Sequence, residues 1–429
     1  MQTINNPVPH LTTATNEPLH QLEKTILAAQ PKIEAWLRGQ WRKTPAPFYS
    51  SVDLRNAGFK LAPIDTNLFP AGFNNLNADF LPLAIQAAQA VLEQVHVGCS
   101  NLILVPENHT RNFYYFESIA VLQTILTQAG FAVRIGSLRE DLTAAETIDL
   151  PSGKTITIEP LQRKNDRLAI GDFAACVVIL NNDLSAGLPT ILQNLKPTLL
   201  PPPELGWMRR LKSQHFKHYA DVAKEFAELI NVDEWFINPF FSVCSNVDFV
   251  KREGEAQVAE QVEQLLQAIQ KKYDQYGITQ KPFVVIKADA GTYGMGVLTV
   301  QSSEEVLQLN RKKRTNMSTA KGDRPITQVI LQEGVYTFEN WENAVAEPVI
   351  YMIGQYVIGG FYRVHNARGV TENLNAPGME FKPLAFAKPC NQPNRNAPPD
   401  ECANRFYVYG VIARLAAIAA AREQAELSK

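Results

Sequence analysis

Cysteine is scarce and scattered in this chain: five in 429 residues (Cys99, Cys176, Cys244, Cys390 and Cys402), an odd number with no CxxC pair and no Cys/His cluster of the kind zinc requires. Free thiols in a reducing cytoplasm are the expectation. Long apolar runs are missing as well. No stretch approaches the roughly 20 residues of a membrane span, and the leader MQTINNPVPHLTTATNEP is polar and proline-bearing, unlike a secretory signal or an anchor. Nor does one sign of charge prevail. With 41 basic and 43 acidic side chains the formal net charge is -2, so no overall field gathers nucleic acid or an anionic membrane. Internal repeats and low-complexity segments are absent too, and a ligand must be sought in local sites.

What remains is an ordinary globular composition, 45% hydrophobic and 20% charged, in a chain long enough for two or three domains at roughly 150 residues each. HQLEKTILAAQPKIEAWLRGQW spaces its apolar residues as one or two amphipathic helices. From Phe59, FKLAPIDTNLFPAGFNN is a short strand and a loop rich in Asn, Pro and Gly. The helix FLPLAIQAAQAVLEQV, strand NLILVP, loop ENHTRN, helix YYFESIAVLQTILTQAG and strand FAVRIGSL then follow in the order of a parallel crossover unit. ETIDLPSGKTITIEPL alternates as a hairpin; its GKT imitates the end of a phosphate loop, but Ile148 stands where that motif needs glycine. AACVVIL is a buried strand running into NNDLS, and the prolines of LKPTLLPPPELG mark the expected domain boundary. Beyond it two helices, the strands around FVVIKADAGTYGMGVLTV, ITQVILQEGV and EPVIYMIGQYVIGGFYRVH, and a terminal helix make an α+β half. The fold class is therefore α/β, α+β in its second half.

Several stretches carry chemistry. Lys287 ends a β-branched strand and precedes a loop containing Gly291, Gly294 and Gly296, which leads straight into a second strand. In a Walker loop the lysine follows the glycines, and in a kinase glycine loop it lies on the next strand, so this order matches neither. In LQEGV, Gln332 and Glu333 end a strand before a glycine and Val335, which suits a hinge meeting an adenine amino group and a ribose. GGFYRVHNARGVTENLNAPG gathers Arg363, Glu372, Asn373 and Asn375. Together these stretches resemble the ATP-grasp superfamily, which holds ATP between two antiparallel sheets and joins a carboxylate to an amine through an acyl phosphate. That resemblance implies a second, upstream lysine at a helix start. In RRLKSQHFKH it is Lys212 or Lys217, and spacing does not choose between them.

ATP-grasp enzymes usually place an acidic-x-Asn metal pair near the end of the nucleotide domain, where this chain has a helix rich in Ala and Arg. Two candidates remain: the loop from Glu372 to Asn375, and Asp65-x-Asn67, whose spacing puts both side chains on one face of a strand but also suits an Asx turn. The layout is similar to that of eukaryotic glutathione synthetase, a circularly permuted ATP-grasp enzyme whose metal pair lies in the N-terminal half. That similarity implies Glu107, Asn108 and Asn112 as contacts for the amino and carboxylate groups of an amino acid, and Arg55 as a fork for a carboxylate. It fails at Asn181, Asn182 and Asp183, where the synthetase has an arginine and a tyrosine.

VDLRNAGFKLAPIDTN, VPENHTRN, IKADAGTYGMG and GFYRVHNARGVTENLNAPG, spread from near Ser51 to the last helix, resemble the bacterial glutamate–cysteine ligase family of acidophilic iron oxidisers. The implied fold is ATP-grasp-like and circularly permuted, with a parallel-sheet substrate domain. Its expected parts are a helical segment (1–50), a substrate-binding α/β domain holding the metal-ligand strand (51–200), a nucleotide-binding region (201–400) and a terminal helix (401–429). The implied activity is ATP-dependent formation of γ-glutamylcysteine from glutamate and cysteine. ATP and Mg2+ are the implied cofactors, with Asp65, Asn67 and Asp289 on the metal. ATP would meet Lys212 or Lys217, Lys287, Gly291, Gly294, Gly296, Gln332, Glu333 and Val335. Substrates would meet Arg55, Glu107, Asn108, Asn112, Asn182, Arg363, Glu372 and Asn373, with Lys287, Arg363 and Asn375 serving the chemistry. A cytoplasmic enzyme with no nucleic-acid or membrane partner is implied, in a layout compatible with a homodimer. Glutathione synthetase or another ATP-grasp ligase is the alternative within that class. Outside it stand a nucleotide sensor without catalysis and a nucleic-acid binder using RKKRTNMSTAKGDR, a basic run with no aromatic residue on which a base could stack. His215 and His218 lie three apart on a helix but lack a third metal ligand nearby in sequence.

Overall fold

The computed structural model describes residues 19–108, 112–291, 296–320, 324–383, 393, 396 and 402–427. The described chain opens with two helices, α1 (Leu19–Ala28) and α2 (Gln30–Lys43), the latter with Pro31 in its first turn, where no amide hydrogen is required. Then come β1 (Tyr49–Asn56), β2 (Leu61–Asn67), α3 (Leu81–Val95), β3 (Asn101–Pro106), α4 (Phe113–Gln128), β4 (Ala132–Ser137), β5 (Glu146–Asp149) and β6 (Thr155–Pro160). A small antiparallel group, β7 (Gln162–Lys164), β8 (Arg167–Ile170) and β9 (Phe173–Ala174), precedes β10 (Val177–Asn181) and β11 (Thr198–Leu200). The second half contains α5 (Lys212–Ile230), β12 (Phe241–Ser245), α6 (Glu255–Tyr276), β13 (Val284–Ala288), β14 (Val297–Val300), α7 (Ser303–Leu307) and α8 (Arg311–Asn316). It ends with β15 (Thr319–Ala320), β16 (Arg324–Pro325), β17 (Gln328–Glu333), β18 (Asn340–Trp341), β19 (Ala344–Ile353), β20 (Tyr356–His365), β21 (Glu380–Pro383) and α9 (Cys402–Leu427).

Three sheets position the site. The first runs β11-β10-β3-β4-β6-β5 and is parallel except for the β5–β6 hairpin. From β3 the chain proceeds through α4 to β4 on one side, while β10 lies on the other, so a crevice opens beyond the carboxyl ends of β3 and β10. The second sheet, β12-β17-β13-β14, is antiparallel. The third, β2-β1-β19-β20-β21, is antiparallel, and its central strands β1, β19 and β20 are buried on both faces over most of their length. Its side chains alternate accordingly: Val349, Tyr351 and Ile353 share a core with Ala88 and Ile119 of α3 and α4, whereas Ile350 and Met352 share one with α9.

Helix α9 is buried on every side from residue 405 to 421, which its run of Ala, Ile, Leu and Val allows. It packs on α5, β1 and β2, and its alanines let those elements approach closely. Among the described residues no helix is long and apolar enough to cross a membrane.

Two expectations are corrected here. The strand carrying Asp65 does not belong to the parallel sheet of the first half: β1 pairs with β19, so it is built into a sheet with the C-terminal half. And not all thiols are free, since Cys99 and Cys176 form a disulfide with a Cα–Cα distance of 5.8 Å. Parallel pairing of Leu102 with Val177 brings the starts of β3 and β10 together, a proximity that a sequence separation of 77 conceals. Cys244 is free and buried, and Cys390 lies outside the described residues.

Because α9 is enclosed all round, Ala417→Leu should destabilise the fold by about 1–3 kcal/mol through overpacking. Guanidinium unfolding checks this, and an unchanged midpoint would mean that the helix has slack beside it.

Candidate active site

The three sheets meet around a cavity of about 900 Å³. One wall comes from β13, β14 and the end of β17, the floor from β1, β2, β19 and β20, and the far end from the crevice of the parallel sheet. Period-two alternation turns Val285 and Lys287 of β13 to the same side, into the cavity. Lys287 Nζ donates to the Ile64 carbonyl and to Gln332 Oε1, both at 2.8 Å. Burial, partly countered by Asp65 and reinforced by Lys212 and Arg55, brings its ammonium down to about 8. Gln332 also lines the cavity, and its buried Nε2 has no partner among the described residues.

Lys212 occupies the first turn of α5 and faces the cavity, while Lys217, five residues on and so rotated by roughly 140°, is exposed outside it. Lys212 Nζ lies 2.8 and 2.9 Å from the two oxygens of Asp65. Burial would raise the Asp65 carboxyl, but Lys212, Lys287 and Arg210 hold it at about 2. Asp65 and Asn67 both line the cavity from one face of β2, as their spacing requires. Asn67 Oδ1 also accepts from the Phe69 amide, so the Asx turn and the cavity-facing arrangement coexist. Asp53, which no motif indicated, lies opposite Asp65 on β1 and lines the same cavity. These are all oxygen donors, the set that suits a hard cation such as magnesium. Among the described residues no group of three His, Cys, Asp or Glu stands close enough to hold a metal by itself.

Asp289 is not among these donors. It is 1% exposed, and its carboxylate accepts from the Ser213 amide at 2.7 Å, from Ser213 Oγ at 2.6 Å and from Gln328 Nε2, fixing the start of α5 to β13. Glu333 is likewise spent inside the protein: Lys60 Nζ, Trp235 Nε1 and the Phe240 amide donate to it at 2.9, 3.0 and 2.9 Å. Glu333 borders the cavity, but both of its carboxylate oxygens are engaged inside the protein. Lys60 is correspondingly enclosed, and burial outweighs Glu333 in bringing its ammonium to about 8. The next residue, Gly334, must be glycine, since a Cβ there would lie 2.1 Å from the Phe283 ring. Val335 does line the cavity.

The floor is a buried charge cluster. Glu347 accepts from Arg55 Nε at 2.9 Å and from Arg363 Nη1 at 2.6 Å, and Arg363 Nη1 also reaches Asp53 at 2.8 Å. The two arginines outweigh burial and hold Glu347 low, whereas burial, with Glu347 and Asp65 nearby, raises Asp53 despite Arg363. Arg55 also lines the cavity, but its remaining nitrogens donate to the carbonyls of Val335 and Glu372, so it ties the strand-end hinge and the 369–375 loop to the floor. The buried Arg363 Nε has no partner among the described residues.

At the far end Glu107 and Asn112 line the cavity, although Glu107 also accepts from the Asp183 amide and Asn112 caps α4. Asn108 is exposed and outside the lining. Asn182 bonds the Pro106 carbonyl and the Leu184 amide, leaving its neighbours Asn181 and Asp183 in the wall instead. Asn181 is locked by Tyr49 and Tyr115, with Tyr115 Oη bridging to the Glu107 amide. Asn373 and Asn375 line the cavity, but the Glu372 side chain turns to Arg368 and the Gly369 amide. Gly291 borders the cavity, Gly296 at the foot of β14 does not, and Gly294 lies outside the described residues. His215 is buried against Glu423, and His218 pairs with Glu426; neither lines the cavity. Strand alternation in SVDLR offered a signal for Asp53, but nothing in AVAEPVIY singled out Glu347.

The family model for glutamate-cysteine ligase matches residues 23–424. Among solved structures, the chain is similar to a Methylobacillus flagellatus KT protein assigned as a γ-glutamylcysteine synthetase, with 55% identity over 98% of this chain and 99% of that one and a TM-score of 0.91. A glutathione synthetase-like effector from Globodera pallida is 10% identical over 85% of each chain, with a TM-score of 0.38. D-alanyl-alanine synthetase A from Vibrio cholerae O1 biovar eltor str. N16961 is 9% identical over 75% of this chain and 82% of that one, with a TM-score of 0.35. No curated protein matches the chain.

Removing the carboxylate beneath two arginines, by Glu347→Ala, should destabilise the protein by about 3–5 kcal/mol, measured by urea unfolding. A cost under about 1 kcal/mol would show that water reaches the floor. Lys287 is charged below about 8 and neutral above it. If its charge serves an anionic ligand, kcat/KM for that ligand should fall on an alkaline limb near pH 8, and Lys287→Arg should move the limb upward. A limb that stays in place in the variant would assign it to another group, such as Lys60.

Proposed function

The chain belongs to the glutamate-cysteine ligase family, whose members are ATP-dependent ligases, and from that premise we propose that its cavity joins glutamate to cysteine through a γ-glutamyl phosphate. One observation carries the assignment of parts: cations from two separate elements, Lys287 of β13 and Lys212 of α5, converge on the stretch of β2 that contains Asp65. This arrangement suits a phosphoryl group, because charge-assisted donors come from two sides while a carboxylate and an amide remain for the accompanying cation. The nucleotide lies against β13, β14, Gln332 and Val335, and the amino acid toward Glu107, Asn112, Asn181 and Asp183. The chain order, with Asp65 far upstream of Lys287, supports a circularly permuted ATP-grasp arrangement divided near residue 200.

In the first step the glutamate γ-carboxylate oxygen bonds to the γ-phosphorus of ATP while the bond to ADP breaks. Lys287 and Lys212 stabilise the charge on the transferring group. Asp65 and Asn67 would hold magnesium, which when bound neutralises phosphate charge. In the second step the cysteine amine bonds to the acyl carbon, phosphate leaves with its C–O electron pair, and the nitrogen gives up a proton. Arg363, kept cationic by Asp53 and Glu347 against the effect of burial, faces the oxyanion that forms on the acyl carbon. Asn373 and Asn375 close that side, and Arg55 holds their loop from beneath. Exclusion of water by the enclosing sheets protects the acyl phosphate.

Glutathione synthetase is the rival within the class. Purified protein with ATP and magnesium should release ADP with glutamate plus cysteine, giving a product with the mass of γ-glutamylcysteine, and not with γ-glutamylcysteine plus glycine. Turnover only with the second pair would replace this assignment. Lys287→Ala should abolish turnover while leaving the unfolding midpoint near that of the wild type; undiminished activity would remove Lys287 from the reaction.

A further inference from the structure

Trp207 sits in the turn ahead of α5 and has no part in the mechanism above. It is 2% exposed, yet it borders the cavity. Lys212 Nζ stands 4.2 Å from the centroid of its ring, and the guanidinium carbon of Arg210 stands 5.0 Å away. Two cations already lie over the indole, which leaves it unsuited as a platform for a base. The cations differ in freedom. Arg210 is pinned by Glu423 at 2.9 and 3.1 Å and by the Thr66 carbonyl at 2.6 Å. Among the described residues the Lys212 ammonium is held by the Asp65 carboxylate and the ring alone. Under the ATP-ligase assignment, on which this inference rests, that carboxylate is one that would hold magnesium. Lys212 would then share its ionic partner with the cation when its ammonium must meet a phosphate, and a four-carbon stem alone does not keep it in place.

We propose that Trp207 is a positioning residue for nucleotide binding: its indole face keeps the Lys212 ammonium aimed at the phosphates once Asp65 is shared with the cation. A desolvated cation–π contact is strong enough for this, and tryptophan provides the best ring for it, with phenylalanine a weaker substitute. The indole acts on the nucleotide through Lys212, whereas the contact of Trp207 with the amino-acid end is its main-chain amide, which donates to the Asp183 carbonyl at 2.9 Å and is kept in every side-chain variant.

The test is calorimetric titration of the wild type, Trp207→Leu, Trp207→Phe, Lys212→Met and the Leu/Met double variant with the magnesium complex of a non-hydrolysable ATP analogue. Steady-state KM values for glutamate and cysteine accompany it. Trp207→Leu should weaken nucleotide binding roughly tenfold, Trp207→Phe should recover part of that loss, and the leucine change should add almost nothing on the Lys212→Met background. KM for glutamate should stay within about twofold, a margin corresponding to the usual noise of independent sites. Equal losses on both backgrounds, or a glutamate KM rising in step with the nucleotide constant, would reduce Trp207 to a packing residue and overturn the proposal. Unchanged affinity in Trp207→Leu would overturn it as well. Failure of the wild type to bind the analogue would instead overturn the ATP assignment, and this inference with it.

Discussion

Glu347 lies beneath two arginines, and the geometry of the cavity depends on that pairing. Through Arg55 it is connected to the carbonyls of Val335 and Glu372, and through Arg363 to Asp53. One carboxylate on β19 thus aligns a strand-end hinge, an asparagine-bearing loop and the carboxylate side of β1. Burying four charges is costly, and such clusters contribute less net stability than their short distances suggest. What the cluster supplies is a fixed arrangement: each group has partners only in this register, and a slip of β1 against β19 by one residue would leave charges facing apolar neighbours.

A second electrostatic arrangement sits above the first. Lys287 and Lys212 both terminate on residues 64 and 65 of β2, one on a carbonyl and the other on a carboxylate. The cations are therefore held in place before any anion arrives, by groups that also serve the site. Burial lowers the charge preference of Lys287, and the proximity of Asp65 only partly restores it. Preorganised donors of this kind stabilise developing charge without reorganising at the moment of reaction. The strand that also presents Asp65 and Asn67 is packed by α9 and β1 and met by Lys212 at the start of α5.

Much of this was legible from local pattern. The β-branched strand before a glycine loop identified Lys287, and two-residue spacing put Asp65 and Asn67 on one face. The crossover unit announced the parallel sheet, whose strand ends deliver Glu107 and Asn181. Local pattern failed where a polar group's partner lay far along the chain. Glu333 looked free at a strand end but is consumed by Lys60, 273 positions away, together with Trp235 and Phe240. Asp289 looked like a loop ligand but secures Ser213, 76 positions away. Arg55 looked like a substrate fork but serves two backbone carbonyls. In each case local pattern marked a titratable residue as facing a ligand, and the partner that engages it inside the protein lay too far along the chain to be read.

The sequence by itself determined the elements, their order and the chemical kind of the site: apolar periodicity makes helices and strands, glycines allow the loop, and lysine, asparagine and acid types admit phosphate and a hard cation. Tertiary structure alone decided which of two lysines faces the cavity, which carboxylates remain available to a ligand, and that β1 and β2 join a sheet from the other half of the chain. The physical reason is that a side chain's chemistry is local, whereas its availability depends on which donors and acceptors folding brings within hydrogen-bond distance, and sequence separation does not encode that distance.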